Sequence, residues 1–101
     1  MKILIAPSIK EPHKKQFEYS IDKNWFLFLS DVFGDFDLFL PEKYISKLDL
    51  IVLSGGNDLI QVDSNKRNQI RLKQDKQLYE FASKNDIPLI GICYGAQFIA
   101  N

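Results

Sequence analysis

The run Ile87-Pro88-Leu89-Ile90-Gly91-Ile92-Cys93-Tyr94-Gly95-Ala96-Gln97-Phe98-Ile99-Ala100-Asn101 decides how the rest of the chain is read. It begins apolar and β-like, passes through a glycine-flanked cysteine, and continues as a helix-like run. Gly91-x-Cys93-x-Gly95 has the spacing of a nucleophile elbow, with sulfur in the place of serine. A strand that turns directly into a helix around a raised side chain crowds its own backbone. Glycines two positions before and two after remove the Cβ atoms that would collide. Cys93 is then expected at a helix N-terminus, where unsatisfied N–H groups and the helix dipole favour the thiolate. The competing reading of a lone cysteine is a small buried hydrophobe. The flanking glycines and the strand-to-helix context favour the nucleophile.

Working back from the elbow, Lys84-Asn85-Asp86 reads as a turn. Before it, Ile70, Leu78, Phe81 and Ala82 mark one face of a charged helix from about Gln69 to Asn85. Arg71 and Asp75, four apart, read as a weak surface pair on that helix. Gln61 to Asn68 is polar and loop-like. Leu48 to Leu53 is an apolar strand with Asp49 at its start, and Ser54-Gly55-Gly56-Asn57-Asp58 follows its C-terminal end. Glu42 to Lys47 reads as a linker or helical turn, and Phe36 to Pro41 as a short strand stopped by proline. From Asp22 to Phe33, Trp25, Phe26, Phe28, Leu29, Val32 and Phe33 recur at three and four spacing. This predicts a helix capped by Asp22 and ended by Gly34, with Trp25, Phe26 and Phe28 as core. Lys10 to Ser20 reads as a loop or an extended connection. Lys2 to Ser8 is a continuous apolar run, expected as a buried parallel strand at the sheet centre.

Strands alternating with helices predict an α/β fold: a parallel sheet covered by helices on both faces. The loops at the C-terminal strand ends are where such sheets carry function. Three fall there: the one after Ser8, the Ser54-Gly55-Gly56 turn, and the Cys93 elbow.

At 101 residues, 46% hydrophobic and 13% aromatic, the chain suits one small packed domain. Thirteen basic and thirteen acidic residues cancel, so nothing electrostatic argues for a nucleic-acid or membrane partner. One cysteine and one histidine make neither an internal disulfide nor a zinc set. No metal or organic cofactor is expected, and a reducing, cytoplasmic setting is. The apolar start, Ile3 to Ala6, is too short for a signal peptide or a span.

The chemistry expected of Cys93 is attack on an acyl carbon to give a thioester that water later cleaves. The oxyanion would be met by the backbone N–H of Tyr94 and by an N–H of Gly55-Gly56, although a plain tight turn is the alternative for the glycine pair. His13 lies in a polar, lysine-containing segment and reads as solvated. Asp58 reads equally as a turn-closing residue or as a partner of a substrate amine.

Leu53-Ser54-Gly55-Gly56-Asn57-Asp58 followed by Pro88 to Gln97 resembles the class I (triad) glutamine amidotransferase superfamily. The Gly-Gly-x-Asp form resembles its γ-glutamyl hydrolase-like branch, including the bacterial γ-glutamyl-CDP-amidate hydrolase type of surface-polysaccharide synthesis. The charged helix from Arg67 through Phe81 and the tryptophan-containing first helix are similar too, so the likeness covers most of the chain. It implies a flavodoxin-like fold and a Cys-His-Glu triad. It also implies hydrolysis of a γ-glutamyl amide, glutamine or a γ-glutamyl conjugate, through a glutamyl thioester. Cys93 matches the nucleophile, Gly56 and Tyr94 the oxyanion positions, and Gln97 a residue near the glutamyl group. Two departures stand out. The branch commonly carries Arg where Tyr94 stands, and the family's His and Glu come well after the elbow, with His13 not matching that histidine. Residues 1–101 are therefore expected to be the N-terminal part of one amidotransferase-like domain, with the sheet incomplete at its C-terminus. A synthetase partner or self-association is expected with it. The competing functions are a non-catalytic fragment or pseudoenzyme that binds a partner, and the stress-associated protease-like relatives. The latter usually place a glutamate near the cysteine, and no acidic residue stands just before Gly91.

Overall fold

The computed structural model describes residues 1–42, 47–55, 65–92, 95 and 99. In chain order the elements are β1 (Lys2–Ala6), β2 (Ser8–His13), β3 (Gln16–Ser20), α1 (Lys23–Phe33), β4 (Asp37–Phe39), β5 (Leu50–Leu53), α2 (Lys66–Asn85) and β6 (Leu89–Gly91). Four of the strands form one parallel sheet in the order β4-β1-β5-β6, with β1 internal as its apolar run predicts. Ile3 faces Leu38 on one side and Leu50 on the other, and Leu53 pairs with Gly91.

Side chains alternate across a strand, so each strand supplies both faces of the sheet. Ile3, Ile5, Leu50 and Val52 form one apolar layer with Leu29 of α1, joined by the half-buried Trp25. Leu4, Ala6, Ile51 and Leu53 form the other with Leu78 and Ala82 of α2 and with Ile87. Burial on both faces is why β1 and β5 read as unbroken apolar runs. Helices on opposite faces of a parallel sheet give the α/β, flavodoxin-like arrangement expected from the sequence.

The helix ends follow local chemistry. The Asp22 carboxylate accepts from the Asn24 N–H at 2.9 Å, and Gly34 closes α1 through its N–H to the Ser30 carbonyl at 2.8 Å. Asn65 caps α2 by accepting from the Asn68 N–H at 2.9 Å, so this helix begins before the expected Gln69. Its first turn is wholly polar, which hid it from a search for apolar spacing. Asp86 ends α2 in the left-handed conformation, a role aspartate tolerates.

Three readings are corrected. The segment from Lys10 to Ser20, read as a loop or an extended connection, is most of an antiparallel hairpin, β2 with β3, pairing Ser8 with Ser20 and Ile9 with Tyr19. Pro12 disguised it, and the ladder shifts register between Lys10 and His13, where a proline is tolerated. Phe26 and Phe28 are exposed rather than core, and only Trp25 of that trio reaches the apolar layer. Arg71 and Asp75 are a wholly buried ion pair, not a surface one, since α2 turns that side onto the C-terminal ends of the strands.

Candidate functional site

The ends of β1, β5 and β6 meet at the C-terminal edge of the sheet. Ser54, just past β5, donates its Oγ hydrogen to the Ala6 carbonyl at 2.6 Å, and its N–H reaches the same oxygen at 3.3 Å. Beyond β6, the Ile92 N–H donates to the Leu53 carbonyl at 3.1 Å, and the Gly95 N–H to the Ile92 carbonyl at 3.1 Å. Gly95 and Ile99 both have helical backbone. A Cβ on Gly95 would run into the carbonyl oxygen of Leu53 and come within 2.6 Å of its Cβ. The chain past β6 is thus pressed against the end of β5, and only glycine fits at that point.

A cavity of about 470 Å³ opens on this edge. Gly55 and Ser54 form one side of it and Ile92 another. Ser8, Lys10 and Ser20 of the hairpin, with Asp22 and Trp25 at the start of α1, complete its walls. The hairpin therefore supplies a wall of the cavity and brings one ammonium group there.

Under the Ser54-Gly55 turn lies a buried polar network. The Arg71 Nε donates to both Asp75 oxygens at 3.0 and 2.9 Å, while Nη2 donates to the Ser54 carbonyl at 2.6 Å and Nη1 to the Gly55 carbonyl at 3.4 Å. Gln74 Nε2 donates to Asp75 Oδ1 at 3.2 Å and to the Pro7 carbonyl at 3.3 Å. Burial lifts the Asp75 carboxyl above its ordinary value, opposed by the Arg71 guanidinium and the Gln74 amide.

Of the residues singled out from sequence, Gly55 lies on the cavity. Cys93, Tyr94, Gln97, Gly56 and Asp58 lie outside the described residues. His13 is exposed at the turn end of β2. Arg71, Gln74 and Asp75 were missed as site residues. A signal was present: Asn68, Arg71, Asp75, Leu78 and Ala82 keep one helical spacing, so the apolar stripe continues as a polar one. Among the described residues, no group of three His, Cys, Asp or Glu side chains is placed to hold a metal, and no helix is long and apolar enough to cross a membrane.

The model of the family described as glutamine amidotransferase class-I matches residues 32–101, which take in β4 through the elbow. The chain belongs to the class-I glutamine amidotransferase family. Over 58 residues it is 41% identical to a protein named gamma-glutamyl-CDP-amidate hydrolase from Campylobacter jejuni subsp. jejuni serotype O:2 (strain ATCC 700819 / NCTC 11168). That match spans 57% of this chain and 29% of the relative, less than a third of its length. No solved structure matches.

Proposed function

We propose that this chain carries the nucleophile and oxyanion positions of a site that cleaves γ-glutamyl amides, in glutamine or in a γ-glutamyl conjugate. Cys93 Sγ attacks the γ-carbonyl carbon, the carbonyl oxygen takes up charge, and the C–N bond breaks as the amine leaves with a proton. Water then hydrolyses the glutamyl thioester. The N–H groups of Tyr94 and of the Gly55-Gly56 turn meet the developing oxyanion, and Gln97 stands near the glutamyl group. No residue of the 101 is assigned the acid–base role. The relative's name speaks of a γ-glutamyl conjugate, which fits the same bond type. A cytoplasmic setting and a synthetase partner for the released amine belong to the same reading.

The observation that supports it most is the close approach of Gly95 to Leu53. It draws the chain two residues after Cys93 against the strand end that leads into Gly55, as an elbow beside an oxyanion turn requires. The test is mass spectrometry after diazo-oxo-norleucine, a glutamine-shaped electrophile. One adduct on Cys93, suppressed by free glutamine and formed faster than a non-glutamyl diazoketone reacts, is expected. Equal labelling by both reagents, with no protection by glutamine, would sink the reading.

A further inference from the structure

We propose that Arg71, fixed by Asp75 and Gln74, is a positioning residue that holds the Ser54-Gly55 peptide with the Gly55 N–H turned toward substrate. The proposal rests on the γ-glutamyl reading of the site.

The argument starts from the cost of the pair. Arg71 and Asp75 are both fully buried, and a buried ion pair contributes little net stability because desolvation offsets the attraction. An apolar pair of similar volume would pack the same space. What apolar side chains cannot do is hold carbonyl groups. The guanidinium is a planar fork, and here its Nε is taken by Asp75 while Nη2 and Nη1 go to the Ser54 and Gly55 carbonyls. The 2.6 Å contact to Ser54 is the strong one, and the 3.4 Å contact to Gly55 follows from the same fork. Asp75 sets the plane of the fork, and Gln74 ties Asp75 to the Pro7 carbonyl past the end of β1.

A trans peptide points its N–H opposite to its C=O. The Ser54 carbonyl shares a peptide with the Gly55 N–H. Pulling the Ser54 carbonyl toward the buried guanidinium turns the Gly55 N–H the other way, and Ser54 and Gly55 lie on the cavity. Gly55 has no Cβ to resist a peptide flip. It needs an outside hold if its N–H is to be presented at a set angle. Arg71 supplies that hold from the far side of the turn, so it acts without touching substrate.

The test uses the acylation half-reaction with γ-glutamyl p-nitrophenyl ester. The Cys93 thiolate, its proton released to water, attacks the γ-carbonyl carbon, an S–C bond forms, the ester C–O bond breaks, and p-nitrophenolate leaves with the electron pair. No general acid is needed, so the burst reads nucleophile and oxyanion donors alone. Arg71→Lys keeps the charge and loses the fork. Its burst at saturating ester is expected to slow by about 10- to 100-fold, the scale of losing an oxyanion donor. The half-saturating ester concentration should stay within about threefold, and alkylation of Cys93 by iodoacetamide, which forms no oxyanion, within about twofold. Asp75→Asn keeps the shape and one acceptor, and should show the same split to a smaller degree; it carries the test if Arg71→Lys does not fold. An unchanged burst in a folded variant, or equal slowing of burst and alkylation, would overturn the positioning role. Absence of a burst from the unaltered protein with an intact thiol would instead overturn the γ-glutamyl reading itself.

Discussion

Gly95 and Gly34 are required for different reasons, and substitution separates them. At Gly95 an added methyl meets the backbone of β5, which cannot yield without moving the sheet. Gly95→Ala should lower stability by ~1–3 kcal/mol through overpacking, seen as a lower denaturant midpoint, and should also slow Cys93 labelling. Gly34 has open space around it but sits at φ 77 and ψ −144, where side chains are strained. Gly34→Ala should cost a similar ~1–3 kcal/mol through backbone strain, with Cys93 labelling unchanged in the folded protein. The spacing around Cys93 singled out Gly95 in the sequence. Its partner, Leu53, was not legible, because contact between two strand ends depends on the order of the strands.

At the level of elements, α2 shows how a helix divides between core and site. Leu78 and Ala82 pack on the sheet, while Asn68, Arg71, Gln74 and Asp75 are buried near the strand ends. Apolar periodicity found the first part and missed the second. Buried polar residues share the spacing of surface ones, and only their partners tell the two apart. The Asp75 carboxyl makes a pH prediction. Its folded value lies above the ordinary 3.8, so the folded state binds the proton more readily than the unfolded state. The stability of the unaltered protein relative to Asp75→Asn should therefore fall as pH rises from about 3.8 through the raised value, then level off. Urea titrations across that range check it, and a relative stability that rises with pH would refute the direction. At α1, Asp22→Ala removes the cap held at 2.9 Å and should cost about 1 kcal/mol, read from thermal unfolding.

For the whole molecule, the sheet of described residues ends on β6, and α1 leaves Leu27 60% and Val32 55% exposed. Exposed apolar surface and open strand edges favour self-association. Light scattering should rise with concentration. Leu27→Lys with Val32→Lys should lower it while changing stability by no more than about 0.5 kcal/mol each, as exposed substitutions do. Scattering unaffected by the pair would refute a role of this face of α1 in association.

Read alone, the residues determined the strands with two buried faces, the helix caps at Asp22 and Gly34, and the glycine spacing around Cys93. Each is a local property: periodicity, backbone freedom, or a side chain that satisfies its own helix end. The resemblance carried by Gly55-Gly56 and the elbow was likewise legible there. Tertiary structure alone decided that Lys10 to Ser20 is a hairpin walling a cavity, that Gly95 rests on Leu53, and that Arg71 and Asp75 are buried. These depend on which segments meet across the sheet. A charged pair four residues apart reads the same in either place, and only the strand ends above it turn it into a hold on the Ser54-Gly55 turn.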